Sequence, residues 1–166
     1  MNNYRPTTLS TGDWYIDDAA IRLLHRAAQR EFDDEDARMY QRAITLLRYA
    51  DIRPGEILAA RVEDFDIDEE TLAIRHTVRF GQLTTAKRVR TISLDRRSLD
   101  AIAGLVAESD RWLLWAGEEH APDPLTESEF SQDFDDIAVA ASMPDLRLQH
   151  LRKSFVRDEF ARVLAA

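Results

Sequence analysis

The sequence predicts an α+β fold, mostly helical with a small antiparallel β-hairpin sheet. Two patterns predict it. Apolar residues recur at helical spacing in segments on either side of the middle of the chain. Between them Leu72, Ile74, His76, Val78 and Phe80 recur every second residue, as in a half-buried strand. A length of 166 residues and a hydrophobic fraction of 45% suit one domain with one core.

Taken in order, residues 1–14 read as a polar N-terminal arm. Asp17 and Asp18 suit a helix start, where a carboxylate meets free amides and the positive end of the dipole. That helix runs to about Glu31, with Ile21, Leu24 and Ala28 on one face. The acidic run that follows is either a loop or a second helix start, and Met39, Ala43, Leu46, Leu47 and Ala50 form the next apolar stripe. Ile52 and Arg53 make a turn. Pro54 fits the first position of a short helix, where its missing N–H costs little, and this helix ends near Ala60. After the alternating strand, Gly81 marks a turn and Val89 to Leu94 reads as the returning strand. Leu99, Ile102, Ala103 and Val106 predict another helix, and the WLLW run at 112–115 a short buried segment before the loop from Gly117 to Pro124. Thr126 with Glu129 matches a capping box, opening a helix with Phe130, Phe134, Ile137 and Ala141 inward. Beyond Pro144 a last helix from about Gln149 is expected to bury Leu151, Phe155, Phe160 and Val163.

Composition excludes several function classes. Without cysteine there is no disulfide framework, thiolate metal site or thiol nucleophile, and His25, His76, His120 and His150 form no tight metal-type pair. No apolar run approaches membrane-spanning length and the N-terminus has no signal-peptide core, so the expectation is a cytoplasmic protein that binds no membrane. The net charge of -9 argues against a nucleic-acid partner, yet Arg75, Arg79, Lys87, Arg88 and Arg90 cluster in the middle as a local basic face. Lysine occurs only at Lys87 and Lys153. Such an acidic, lysine-poor chain suits a high-salt cytoplasm, and arginine-rich coding would give half of the same pattern.

Two segments carry most of the chemistry. LLRYADIRPGEILAARVEDFDID, from Leu46 to Asp68, sets Arg53 at a turn with Glu56 one helical turn later and an acidic run after it. Near the other end, LQHLRKSF sets Arg152 in the first turns of a helix. Together they resemble the two arginine boxes of the tyrosine recombinase (phage integrase) family. The hairpin TTAKRVRTISL is similar to the family's returning strand, and the resemblance spans roughly residues 15–160.

The resemblance implies a catalytic-domain-like fold over 15–166 and DNA strand cleavage without metal or cofactor. In the family a tyrosine attacks the phosphate, two arginines hold its non-bridging oxygens, a hairpin lysine protonates the leaving oxygen and a histidine assists. Arg53 and Arg152 match the arginines, with Glu56 as supporting partner. A planar guanidinium that stays charged suits a divided phosphate charge. Counting back from Leu94, the lysine position falls near Thr84 or Thr85, and Lys87 lies two or three residues later, a shift that a hairpin turn can absorb. Gln149 stands where the family has histidine; it can hydrogen-bond a phosphate but cannot shuttle a proton. His150, next door, is the alternative, or else a surface or cap histidine. Arg88 and Arg90 either contact the DNA backbone or solvate an outer strand face. Tyr4, Tyr15, Tyr40 and Tyr49 all precede Arg53, and the chain stops 14 residues after Arg152, so no nucleophile stands in the expected place and the C-terminal part is expected to be missing.

The resemblance therefore implies a DNA-binding integrase-like domain for DNA integration or site-specific recombination, unable to cleave alone. Its partners would be double-stranded DNA and recombinase subunits or further copies of itself. The alternative is a catalytically dead regulatory or protein-interaction module, a pseudoenzyme. In that case Arg53 and Arg152 should be satisfied by internal acids such as Glu56 and face no open groove.

Overall fold

The computed structural model describes residues 7–8, 14–103, 112–114 and 124–166. The predicted helix, loop and side-chain positions at Tyr4, Val106, Trp115, His120 and most of the 117–124 loop lie outside them. Two short strands, β1 (Thr7–Thr8) and β2 (Trp14–Tyr15), pair antiparallel. Helix α1 (Asp18–Glu31) follows, capped by Asp17, whose side chain accepts from the Ala20 N–H. The acidic run resolves as a helix start: Asp33 accepts from the backbone N–H groups of Glu35 and Asp36 and opens α2 (Asp34–Tyr49).

Helix α2 is the centre of the helical layer and packs against α1, α4 (Arg96–Ile102) and α6 (Leu148–Ala165), while α1 also packs on α5 (Glu127–Ala140). The stripes of α1 and α2 meet in one core with Phe130, Phe134 and Ile137 of α5, all fully buried or nearly so. Thr126 and Glu129 form the capping box expected of α5. Leu113 and Leu114 of the WLLW run are buried as well.

Helix α3 (Pro54–Leu58) is a single turn and a half, followed by a 3-10 turn at Val62–Asp64. The sheet has three antiparallel strands in the order β3 (Phe65–Asp66), β4 (Thr71–Arg79), β5 (Gln82–Ser93). The returning strand thus begins well before Val89. Phe80 and Gly81 form a two-residue turn in which both φ angles are positive, 51° and 71°, the turn whose twist matches that of the strands. Below the turn the register breaks. Ile74 pairs with Arg90 and His76 with Thr85, so Ala86 to Val89 stand opposite Arg75 alone. This bulge decides where the basic residues of β5 point.

Gly55 fixes the approach of α3 to the sheet. A Cβ at this position would lie 2.6 Å from the Val78 carbonyl oxygen and 2.8 Å from Thr77 Oγ1. Because the nearer obstacle is backbone, Gly55→Ala must push α3 off β4. We expect a loss of about 1–3 kcal/mol in stability, read from denaturant unfolding; a change below about 0.5 kcal/mol would mean the two elements separate freely.

One expectation fails at α6. Leu151 is buried and Phe155 half-buried, but Phe160 and Val163 are exposed, with Val156 and Leu164. The helix packs on α2 and β2, and among the described residues no element covers the apolar face of its last turns.

Candidate functional site

Three distant parts of the chain meet at one cleft of about 360 Å³. The turn before α3 brings Arg53, the bulge of β5 brings Lys87 and Arg88, and the start of α6 brings Arg152; Arg79 of β4 also lines it. Sequence spacing brings none of these groups together; the docking of α3 on β4 and of α6 on α2 does. Lys87 reaches the cleft through the bulge, because the hairpin turn itself is tight and holds no extra residue.

Arg53 caps the start of α3 with its backbone, and its N–H donates to Glu56 Oε2 at 2.9 Å. Its side chain is exposed and, among the described residues, makes no hydrogen bond or ion pair; the same holds for Lys87, Arg79 and Arg88. Glu56 is the supporting acid, but its carboxylate is held by Arg90. Arg90 Nη1 and Nη2 donate to Oε1 and Oε2 at 2.8 and 3.0 Å, and Nη2 also donates to the Asp51 carbonyl at 2.7 Å. Arg90 therefore does not sit on a solvated outer face. Its guanidinium is committed inward, where it fixes the turn that carries Arg53. Burial pushes the Glu56 carboxyl up, but hydrogen bonds from Arg90 and the Arg53 N–H, with the two arginine charges, outweigh it and hold the group below the usual glutamate range. Arg90 is held above its ordinary value, mainly by the hydrogen bond to Glu56, against its own desolvation.

Arg152 donates from Nη2 to Asp51 Oδ1 at 2.6 Å. Its Nε is buried and has no acceptor among the described residues. Asp51, two residues before Arg53, was not a sequence candidate. The only signal was an acid beside an arginine turn, and nothing in its spacing pointed to positions 90 or 152. Gln149 and His150, the two candidates for the histidine role, differ in placement. Gln149 is exposed and does not line the cleft. His150 is buried, and its Nδ1 accepts from the Arg147 N–H at 3.0 Å, closing the start of α6. His150 does not line the cleft either.

No tyrosine lines the cleft among the described residues. Tyr15 and Tyr49 donate to Asp158 and Asp18 at 2.9 and 2.6 Å, and Tyr40 donates to Asp133. Burial, then the bond to Asp18, pushes the Tyr49 hydroxyl up to about 12, so it stays neutral. Among the described residues no group of His, Asp and Glu could hold a metal ion, and no helix is long and apolar enough to cross a membrane.

No protein-family model matches the sequence, and no curated protein matches it either. Solved structures do match. The fold is similar to that of the XerA recombinase (TM-score 0.66, 15% identity, 88% of this chain and 50% of that one). It is also similar to the Tn1549 transposon integrase in complex with transposon right end DNA (0.66, 13%, 93% and 53%). The XerH site-specific recombinase bound to its difH substrate gives 0.61 at 12% identity, over 98% of this chain and 45% of that one. The chain spans about half the length of these solved chains. The helices of the described residues, six in number, around a small three-stranded antiparallel sheet and arranged as in these proteins, are the fold of a tyrosine recombinase catalytic domain.

Proposed function

We propose that this domain binds duplex DNA and grips a backbone phosphate between Arg53, Lys87 and Arg152, serving DNA integration or site-specific recombination. The observation that carries the proposal is the convergence of unpaired cations on one cleft, in a chain whose net charge is -9. An acidic protein that gathers Arg53, Arg79, Lys87 and Arg88 without ion-pair partners keeps a local field that attracts phosphate. The likeness to an integrase and a recombinase bound to DNA supports the same partner. Arg53 and Arg152 supply planar donors for the non-bridging oxygens, and Lys87 a point charge and a proton for the leaving oxygen. Glu56 and Arg90 position Arg53. Gln149 adds at most a neutral hydrogen bond, and His150 serves the helix start. With no tyrosine in the cleft among the described residues, these residues grip the phosphate without cutting it, and cleavage would need a nucleophile supplied from outside them, for instance by another subunit.

The regulatory alternative required both arginines to be satisfied internally. Arg152 is paired with the internal acid Asp51, which suits that reading, whereas Arg53 makes no ion pair among the described residues and the Glu56 carboxylate is held by Arg90, which favours the phosphate grip.

The test is fluorescence anisotropy of a labelled duplex across a salt series. Binding should weaken with salt. Arg53→Ala/Arg152→Ala should lower affinity at least tenfold and reduce the slope of log K against log salt by about 1, roughly 0.9 for the one phosphate no longer neutralised. Binding indifferent to both arginines would remove the phosphate grip from this cleft.

A further inference from the structure

We propose that Asp51 is a displaceable carboxylate seated where an oxyanion binds, so that it sets the affinity of the cleft. The inference rests on the reading of this cleft as a phosphate grip.

The two acids of the cleft differ in kind. Glu56 is 6% exposed and accepts three hydrogen bonds, two from Arg90 and one from the Arg53 N–H. It is part of the framework. Asp51 is 46% exposed and stands on a bend just past the end of α2. Its side chain takes one short bond, from Arg152 Nη2, and its other oxygen lies 4.0 Å from Arg90 Nε. It straddles two guanidinium groups and completes neither.

The incomplete partner is Arg152. The Nε–Nη2 edge of a guanidinium offers two parallel donors that match two oxygens of one carboxylate or phosphate. Asp51 engages Nη2 and leaves the buried Nε with no acceptor. A buried donor without an acceptor is rare in a folded protein and marks a place for a missing group. A phosphate bound across that edge would satisfy both nitrogens, and it would have to take the place of the Asp51 oxygen on Nη2. Asp51 can yield to it, because its carboxylate is half in water already. Until it does, it cancels the charge of Arg152 and repels the incoming anion. The opposite role is also chemically defined: an acid that merely orients Arg152 would strengthen binding. The two roles predict opposite signs on removal.

The measurement is anisotropy of the same labelled duplex at low salt with the intact chain. Asp51→Asn keeps the shape and removes the charge, and should bind about fivefold to tenfold more tightly. Asp51→Glu keeps the charge and should bind no more tightly than the parent. Asp34→Asn, roughly 24 Å away at the other end of α2 by helical rise, controls for net charge and should change affinity less than twofold. Adding Arg53→Ala/Arg152→Ala to Asp51→Asn should abolish the gain. Circular dichroism and the thermal midpoint confirm that each variant is folded. A gain confined to Asp51→Asn, including binding where the parent shows none, supports the proposal. Binding by the parent through the two arginines with Asp51→Asn equal or weaker overturns it and leaves the phosphate grip standing, with Asp51 as an orienting residue. No arginine-dependent binding by either protein overturns both.

Discussion

Asp158→Ala should destabilise the protein by about 3 kcal/mol at neutral pH, and Arg48→Ala by only about 2, although both remove the same ion pair. Arg48 is 4% exposed and Asp158 35%. Arg48 Nη2 donates to Asp158 at 2.6 Å and Nε to the Ile16 carbonyl at 2.5 Å, and the guanidinium lies 4.9 Å from the ring centroid of Tyr49. Without Asp158, a buried charge keeps only neutral hydrogen-bond partners, the Ile16 carbonyl and the Tyr15 hydroxyl, with Asp18 acting on it without a hydrogen bond. Without Arg48, the carboxylate that remains is a third in water and takes up more. The costs then are the orphaned Ile16 carbonyl and the lost stem packing. Chemical unfolding of both variants gives the comparison. A cost for Asp158→Ala below about 1 kcal/mol would mean that water reaches Arg48. The pair matters to the site, because it docks α6, and so Arg152, onto α2.

Glu56→Gln is expected to cost about 2–4 kcal/mol at pH 7. All three of its hydrogen bonds are accepted by carboxylate oxygens. An amide keeps one acceptor and turns a donor toward donors, either Arg90 or the Arg53 N–H. The sign of the pH dependence follows from the lowered folded pKa. The folded state binds its proton less readily than the unfolded chain, so stability from this group is fully present above the unfolded value of about 4.3 and is lost as pH falls through the lower folded value. The gap between parent and variant should therefore be widest at pH 7 and narrow below pH 4. An equal gap at pH 7 and pH 3, measured by urea unfolding, would show that the carboxylate charge contributes nothing.

Much of this was legible in the sequence, for local reasons. Asp17, Pro54 and the Thr126–Glu129 pair fix helix starts through bonds within a few residues, and the alternation from Leu72 to Phe80 fixes a strand by its own period. The resemblance placed Arg53 and Arg152 in one site, and the cleft contains both. What was hidden depends on distant partners. Arg90 and Arg53 are equally plausible owners of Glu56 in a sequence, and only the register of β5 decides for Arg90. Lys87 sits two or three residues out of place in a linear count, and what a count cannot show is the bulge opposite Arg75 on which it enters the cleft. At 100° per residue Phe160 lies 180° and Val163 120° around α6 from Leu151, so the apolar residues of this helix do not form one stripe and the expected burial of both does not follow from its periodicity. That His150 closes the start of α6 and that Gln149 does not line the cleft both depend on the helix start, which spacing does not fix.

The bulge in β5 has a mechanical consequence. A regular antiparallel pair resists sliding because every ladder bond must break together, whereas four residues facing one are held mainly at their ends. Ala86 stays in the core, while Lys87 to Val89 face water on the stretch of β5 without regular pairing. Lys87 therefore stands on the least ladder-bonded part of the sheet, while Arg53 and Arg152 stand at helix starts. The three cations come from three kinds of support: a turn, a bulge and a helix.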